Sequence, residues 1–279
     1  MKDYFGYHGK ICVVTGASSG MGRAATVMLV DLGAKVYALS NTECTVEGIE
    51  KFIHVNLADK DSIDAAFAQL PAHIDCFFGV AGVSGLTTDY PTTFNVNFTA
   101  NMYISEKYLK ERMSTGGSIT FVSSCAGISW KENLDECQIF SKLRTWEDVQ
   151  VKLRELIAEG TPGPAGYLYS KRIVIAYANE LAVELGLRGI RVNSILPGSA
   201  DTGMKAEFAM MAGGLDNMIK DAGLAGRLAT SEEMAKPIVF LGSDLACFIS
   251  GEEIVVDYCD NALKKLGLKV NLCGGRVLS

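Results

Sequence analysis

The chain has no long hydrophobic run. Nowhere do 18 apolar residues stand together, so no membrane-spanning helix is expected. It also lacks an excess of positive charge. Against 26 Lys and Arg stand 32 Asp and Glu, giving a formal net charge of −6 with no basic cluster. Nucleic acid and anionic membrane are therefore poor expectations as partners. Eight cysteines are present, but none forms a Cys-x-x-Cys pair. Neither a metal site nor a disulfide framework is expected in a chain of 279 residues with that scatter. Cys12 and Cys76 sit in apolar runs and read as small core hydrophobes. Residues 1–10 lack the apolar centre of a secretion signal, and the expected compartment is the reducing cytoplasm. Linkers, internal repeats and low-complexity tracts are missing too, which points to one domain over 1–279.

The chain does contain short apolar runs alternating with helix-length patterns. Residues 11–15, 34–40, 52–55, 74–80, 118–123, 190–196 and 253–257 read as strands. Most are too continuously apolar to be half-exposed, as in a buried parallel sheet. Segments 21–32, 62–69, 94–110 and 167–187 read as helices between them, and Gly33 stands where a left-handed cap belongs. The predicted fold is a single doubly wound α/β (Rossmann) domain, a seven-stranded parallel sheet with helices on both faces. One stretch, about 129–166, breaks the rhythm. It holds a charged helical pattern over 145–159, which Thr145 is placed to cap, and it reads as a helical insertion.

The first strand runs into Thr15-Gly16-Ala17-Ser18-Ser19-Gly20-Met21-Gly22, and a helix follows. Glycines there suit a tight turn, close backbone approach and close helix–strand packing, and free N–H groups at the helix start suit a pyrophosphate. This Thr-Gly-x-x-x-Gly-x-Gly pattern resembles the cofactor loop of the short-chain dehydrogenase/reductase family. Its spacing differs from the Gly-x-Gly-x-x-Gly of other dinucleotide folds.

Tyr167 and Lys171 are four apart and share a helix face. A tyrosine at its usual pKa of about 10 is a poor base, and a nearby ammonium favours the phenolate. Bringing the phenol down by two to three pH units requires roughly 3–4 kcal/mol of preferential interaction. Spacing alone decides little, because Tyr103 and Lys107 match it as well. Chain order separates the pairs. The family places an Asn after the fourth strand and a Ser after the fifth, followed by Tyr and Lys. Asn97 and Ser124 fill the first two places, and only Tyr167 follows both. The resemblance implies that Ser124 bonds the substrate oxygen, Tyr167 exchanges the proton, Lys171 holds the ribose and lowers the tyrosine pKa, and Asn97 anchors a water. Two alternatives stay open: Asn97 as a merely satisfied polar group, and Ser123 in place of Ser124.

The same resemblance places Ser18, Ser19, Gly20 and Met21 with Gly16 and Gly22 around the phosphates. Asn56 and Leu57 follow the third strand, where an Asp usually meets the adenine. Ala81-Gly82 carries over half of the family's Asn-Asn-Ala-Gly. Pro197, Gly198 and Thr202 match the residues set against the nicotinamide amide. The family's terminal Asp-Gly-Gly becomes Asp257-Tyr258-Cys259, which leaves the path of the tail open. The resemblance spans about 8–258 apart from the insertion.

Ser40 stands where NAD-dependent members carry an acid, and Asn41 where NADP users often have Arg, although Glu43 is near. The cofactor expected is NAD(P)(H), with a slight lean to NADP(H). Residues 199–225 form the expected substrate loop. Its Met204, Phe208, Met210, Met211, Leu215 and Met218 suit either a flexible lid over a bulky apolar substrate or the packing of a surface helix. The pattern is most like the hydroxysteroid dehydrogenase/carbonyl reductase branch. It implies hydride exchange between a secondary alcohol and a ketone, with a hydrophobic small-molecule partner such as a hydroxysteroid or bile acid, in a homo-oligomer. A reductase of another carbonyl compound, a cofactor-sensing binding protein, and an epimerase or dehydratase reusing Tyr167 and Lys171 are the alternatives.

Overall fold

In the computed structural model, which describes residues 3–277, seven strands line up side by side, all parallel. They are β1 Ile11–Thr15, β2 Lys35–Ser40, β3 Lys51–His54, β4 Cys76–Gly79, β5 Ser118–Val122, β6 Arg191–Pro197 and β7 Glu253–Val256. Their order is β3-β2-β1-β4-β5-β6-β7, so the winding reverses between β1 and β4. Such a reversal opens a crevice at the carboxyl ends of the strands. Along β1 the side chains alternate: Val13 enters one core, and Cys12 and Val14 enter the other.

Helices cover both faces. The Cys12 face is covered by α1 (Gly20–Asp31), with α11 (Ser231–Gly242) introduced by a Thr230–Glu233 capping box. The Val13 face is covered by α2 (Lys60–Phe67), by a helical stretch over 90–112, and by α8 (Gly163–Gly186). That stretch is α in α3 (Tyr90–Phe94), α4 (Ala100–Ile104) and α5 (Lys110–Arg112), with π turns at Asn95–Thr99 and Ser105–Leu109. Asp89 caps it by accepting from Thr92 N–H at 2.8 Å.

The insertion adds a third layer outside the Val13 face. After a 3₁₀ segment, Cys125–Asn133, come α6 (Leu134–Ser141) and α7 (Trp146–Leu156), the latter capped by Thr145 as expected. Phe140 packs on Phe94 and Tyr169, and Trp146 on Tyr103. Two expected boundaries move. α8 starts at Gly163, four residues before Tyr167, with Pro164 in its first turn, where proline is suited, so the insertion ends before Gly163. β4 starts at Cys76 and ends at Gly79, where the chain turns into the crevice. The substrate loop folds into α9 (Lys205–Met211) and α10 (Leu215–Lys220), and after β7 the chain forms α12 (Asp260–Lys265).

Candidate active site

The carboxyl ends of the strands open into a cleft of about 830 Å³, at the upper end of the ~300–1,000 Å³ typical of ligand clefts. Thr15 ties its floor together. Its Oγ1 accepts from the N–H groups of Val80 at 3.1 Å and Ala81 at 3.2 Å, across the β1–β4 reversal. Gly16 has φ +70, and a Cβ there would lie 2.9 Å from the Ala81 Cα. A Cβ on Gly22 would lie 2.1 Å from the Gly16 carbonyl. Neither position tolerates a side chain, so the turn stays tight and its backbone bare. α1 begins at Gly20 with no side-chain cap from Ser19 and no acid in its first turn. Its first N–H groups are thereby left to an anion.

Every residue expected around the cofactor lines this one cleft: Gly16 to Gly22 apart from Ala17, Ser40 and Asn41, Asn56 and Leu57, Ala81 and Gly82, Pro197 and Gly198, and Thr202. Bare helix N–H groups, glycines packed against backbone, and a long cleft crossing the reversal fit a dinucleotide. At one end Ser18 Oγ lies 2.7 Å from both Ser40 Oγ and Thr42 Oγ1, a hydroxyl cluster, and the nearby Glu43 does not line the cleft. Thr42 was not foreseen.

Ser124, Tyr167 and Lys171 line the same cleft. Burial pushes the Tyr167 phenol up to about 12, against a hydrogen bond from Ser124 that lowers it. Lys171 is buried, its Nζ donates to the Val122 carbonyl at 2.9 Å, and burial brings its ammonium down to about 8. Its Nζ lies 5.6 Å from the Tyr167 ring centroid. Desolvation leads the shift of both groups, Lys171 is not among the groups that move the Tyr167 phenol, and one of its three N–H groups is held by the Val122 carbonyl. Ser123 donates to the Lys171 carbonyl at 2.6 Å, which commits its hydroxyl to the helix backbone. Ser124 accepts from Ala126 N–H and bonds Tyr167.

Asn97 is the one expected residue that does not line the cleft. Its side chain accepts from Val83 N–H at 2.9 Å and donates to the Val83 carbonyl at 3.0 Å, fixing the loop after β4. The rival pair lies elsewhere. Lys107 donates to Tyr103 Oη at 2.8 Å, Tyr103 donates to Asp64 at 2.8 Å, and Trp146 covers the ring. It makes a closer tyrosine–lysine contact than the site pair, yet is part of the packing.

Over the cleft, Phe208 meets Tyr167 edge-to-face, with ring centroids 5.4 Å apart. Met204, Met211 and Met218 also line it, Met211 while part-exposed to solvent, whereas Met210 and Leu215 do not line it. The Glu207 carboxylate accepts from the hydroxyls of Ser84 and Thr87 and holds α9 down. One wall carries no sequence signal: Asp260, Lys264, Lys269, Val270, Leu272 and Cys273 approach from the tail. Among the described residues no cluster of His, Cys, Asp and Glu could hold a metal, and no helix is long and apolar enough to cross a membrane.

A family model described as short chain dehydrogenase matches residues 10–134, and one described as enoyl-(acyl carrier protein) reductase matches 155–258. The coniferyl-alcohol dehydrogenase of Pseudomonas sp. strain HR199 is 31% identical over 89% of this chain and 95% of its own length. The 3beta-hydroxysteroid dehydrogenase of Mediterraneibacter gnavus is 26% identical over 89% and 93%. Among solved structures, the 3-alpha-hydroxysteroid dehydrogenase from Pseudomonas sp. B-0831, complexed with NADH, superposes with a TM-score of 0.75. At 19% identity, that match covers 94% of this chain and 100% of the other.

Proposed function

The chain belongs to the short-chain dehydrogenase/reductase family and is an NAD(P)-dependent alcohol/carbonyl oxidoreductase; from this premise we propose that it interconverts a bulky hydrophobic secondary alcohol and its ketone, with Tyr167 as acid/base. The observation that carries this reading is the convergence of Ser124, Tyr167 and Lys171 in one cleft under an apolar lid that sets Phe208 on the tyrosine ring. A bound nicotinamide supplies or accepts the hydride. Ser124 bonds the substrate oxygen and stabilises charge developing there. Tyr167, held neutral by burial, gives its phenolic proton in the reducing direction. In the oxidising direction the Ser124 hydrogen bond favours the phenolate it must form. Lys171 keeps two N–H groups beyond its Val122 bond for ribose hydroxyls. Asn97 acts from outside, positioning Val83 and the cleft wall.

The substrate class is a hydroxysteroid or bile acid, supported by the methionine and phenylalanine lid and by the steroid-dehydrogenase relative. A second reading, a coniferyl-type aromatic alcohol, is favoured by the 31% identical relative. The hydroxyl cluster of Ser18, Ser40 and Thr42 supports NADP(H), since Glu43 does not line the cleft. The enzyme works as a homo-oligomer. Tyr167→Phe is expected to remove turnover, by roughly 10²-fold or more, while NADPH still binds. The assay is a panel of hydroxysteroids, coniferyl alcohol and small ketones with both cofactors. A Phe variant with full activity would falsify the role of Tyr167.

A further inference from the structure

Beyond the first strand's start, two described segments lie outside the stretches that the family models match, residues 135–154 and residues 259–277. In the structure they pack on each other. Arg276 donates to Asp135 at 3.0 Å, and Val277 N–H donates to the Glu136 carboxylate at 2.9 Å. Asn271 reaches back to Ser129 Oγ at 3.1 Å, just before the insertion helices. Between the two segments lies Arg172, the residue after Lys171. It is fully buried, its guanidinium is 3.9 Å from Glu136, and it donates to the Cys273 carbonyl. A buried guanidinium needs acceptors, so lifting the tail away would leave this cation short of one.

The tail also reaches the lid. Lys269 donates to the Asp221 carbonyl at 3.1 Å, at the end of α10, and pairs with the Asp221 and Asp260 carboxylates. Burial opposes it, but the hydrogen bonds from Lys264 and Lys269 hold the Asp260 carboxyl below the usual range. Lys269, Val270, Leu272 and Cys273 then line the cleft. A single segment thus joins the insertion, the tyrosine helix and the lid, and supplies one cleft wall.

We propose that residues 260–277 form a strap that limits the size of the substrate, and that the insertion is its dock. Arg172 holds the strap through the Cys273 carbonyl, on a cleft wall that also ties to the lid at Asp221. The inference rests on the oxidoreductase reading for its ligand and on the packing alone for the docking.

The test is the double variant Asn271→Ala, Arg276→Ala, two tail residues that do not line the cleft. Hydrogen exchange reads docking without turnover: amides in α6 and in 270–277 are expected to exchange faster in the variant. The second readout is kcat/KM across alcohols from cyclohexanol to a four-ring sterol. Release of the strap is expected to shift the large-to-small ratio about tenfold toward larger substrates, with the NADPH dissociation constant unchanged. Removal of residues 268–279 should reproduce the shift. Unchanged exchange would show that the tail is not docked, and faster exchange with an unchanged substrate profile would show that it sets no limit; either result overturns the proposal. Faster exchange in an enzyme that turns over no alcohol would support the docking and count against the functional reading.

Discussion

Lys171 and Ser40 show how a single side chain can be read for its cost as well as its use. The Lys171 ammonium is buried and brought down to about 8. Between pH 8 and 10.5 the unfolded chain holds a proton that the folded chain does not, so this residue makes stability rise with pH across that window. Below pH 8 the buried charge costs about 3 kcal/mol, offset by about 1 kcal/mol from its bond to Val122. Lys171→Met is therefore expected to stabilise the ligand-free protein by about 2 kcal/mol at pH 7, and to lose that advantage above pH 10.5. Urea denaturation at the two pH values measures it, and a variant less stable at pH 7 would contradict it. Tyr167 acts with the opposite sign. Its phenol is raised to about 12, so its contribution is complete below pH 10 and is lost as pH climbs through 12. Ser40 concerns choice of cofactor. It sits among hydroxyls with Ser18 and Thr42. Ser40→Asp would set a carboxylate against a 2′-phosphate, and is expected to weaken NADPH binding tenfold or more while sparing NADH. Equal losses for both cofactors in a fluorescence titration would remove this cluster from the choice.

At the scale of elements, the turn after β7 departs furthest from the family's pattern. Tyr258 has φ 45 and Cys259 φ 77, left-handed conformations in which the family uses glycine. The turn is held all the same: the Tyr258 carbonyl accepts from Leu224 N–H at 2.9 Å, and the Asp257 carboxylate from Asn261 N–H at 2.6 Å. A left-handed non-glycine residue costs about 1–2 kcal/mol. Glycine at 259 would remove that strain but add freedom to the unfolded chain, so Cys259→Gly is expected to stabilise by about 0.5–1 kcal/mol. A lower melting temperature for that variant would show that the thiol contributes packing worth more than the strain. The sheet, by contrast, is readable because its central strands β1, β4, β5 and β6 are buried on both faces, and because Gly16 and Gly22 of the first turn lie against backbone. What escaped was set by tertiary packing. α6 carries only a weak amphipathic pattern, and its place is decided by Phe140 against Phe94 and Tyr169. The helix expected from 167 begins at Gly163, with Pro164 in its first turn. The tail wall was invisible because its contacts with Asp135, Glu136 and Ser129 join residues more than a hundred positions apart.

At the scale of the molecule, the third layer decides which surface remains for a second copy. The insertion covers the first part of α8, where Tyr169 donates to the Glu136 carbonyl at 2.7 Å and Ser141 to Glu180 at 2.9 Å. Beyond it α8 emerges with Val183 and Leu187 exposed. Phe248, also fully exposed, borders a surface groove that includes Gly186 and Gly189 at the same end of the helix. Burying such side chains against a second copy is worth about 1.5–3 kcal/mol each. They form the surface we propose for a symmetric contact with a second copy. Leu187→Glu with Phe248→Glu would place carboxylates in that contact at a cost of several kcal/mol. On the proposed homo-oligomer, the pair is expected to give monomers in sedimentation equilibrium while leaving NADPH binding intact, since neither residue lines the cleft. A variant that keeps the parent's mass would place the interface elsewhere, and a parent that is already monomeric would remove the homo-oligomer from the reading.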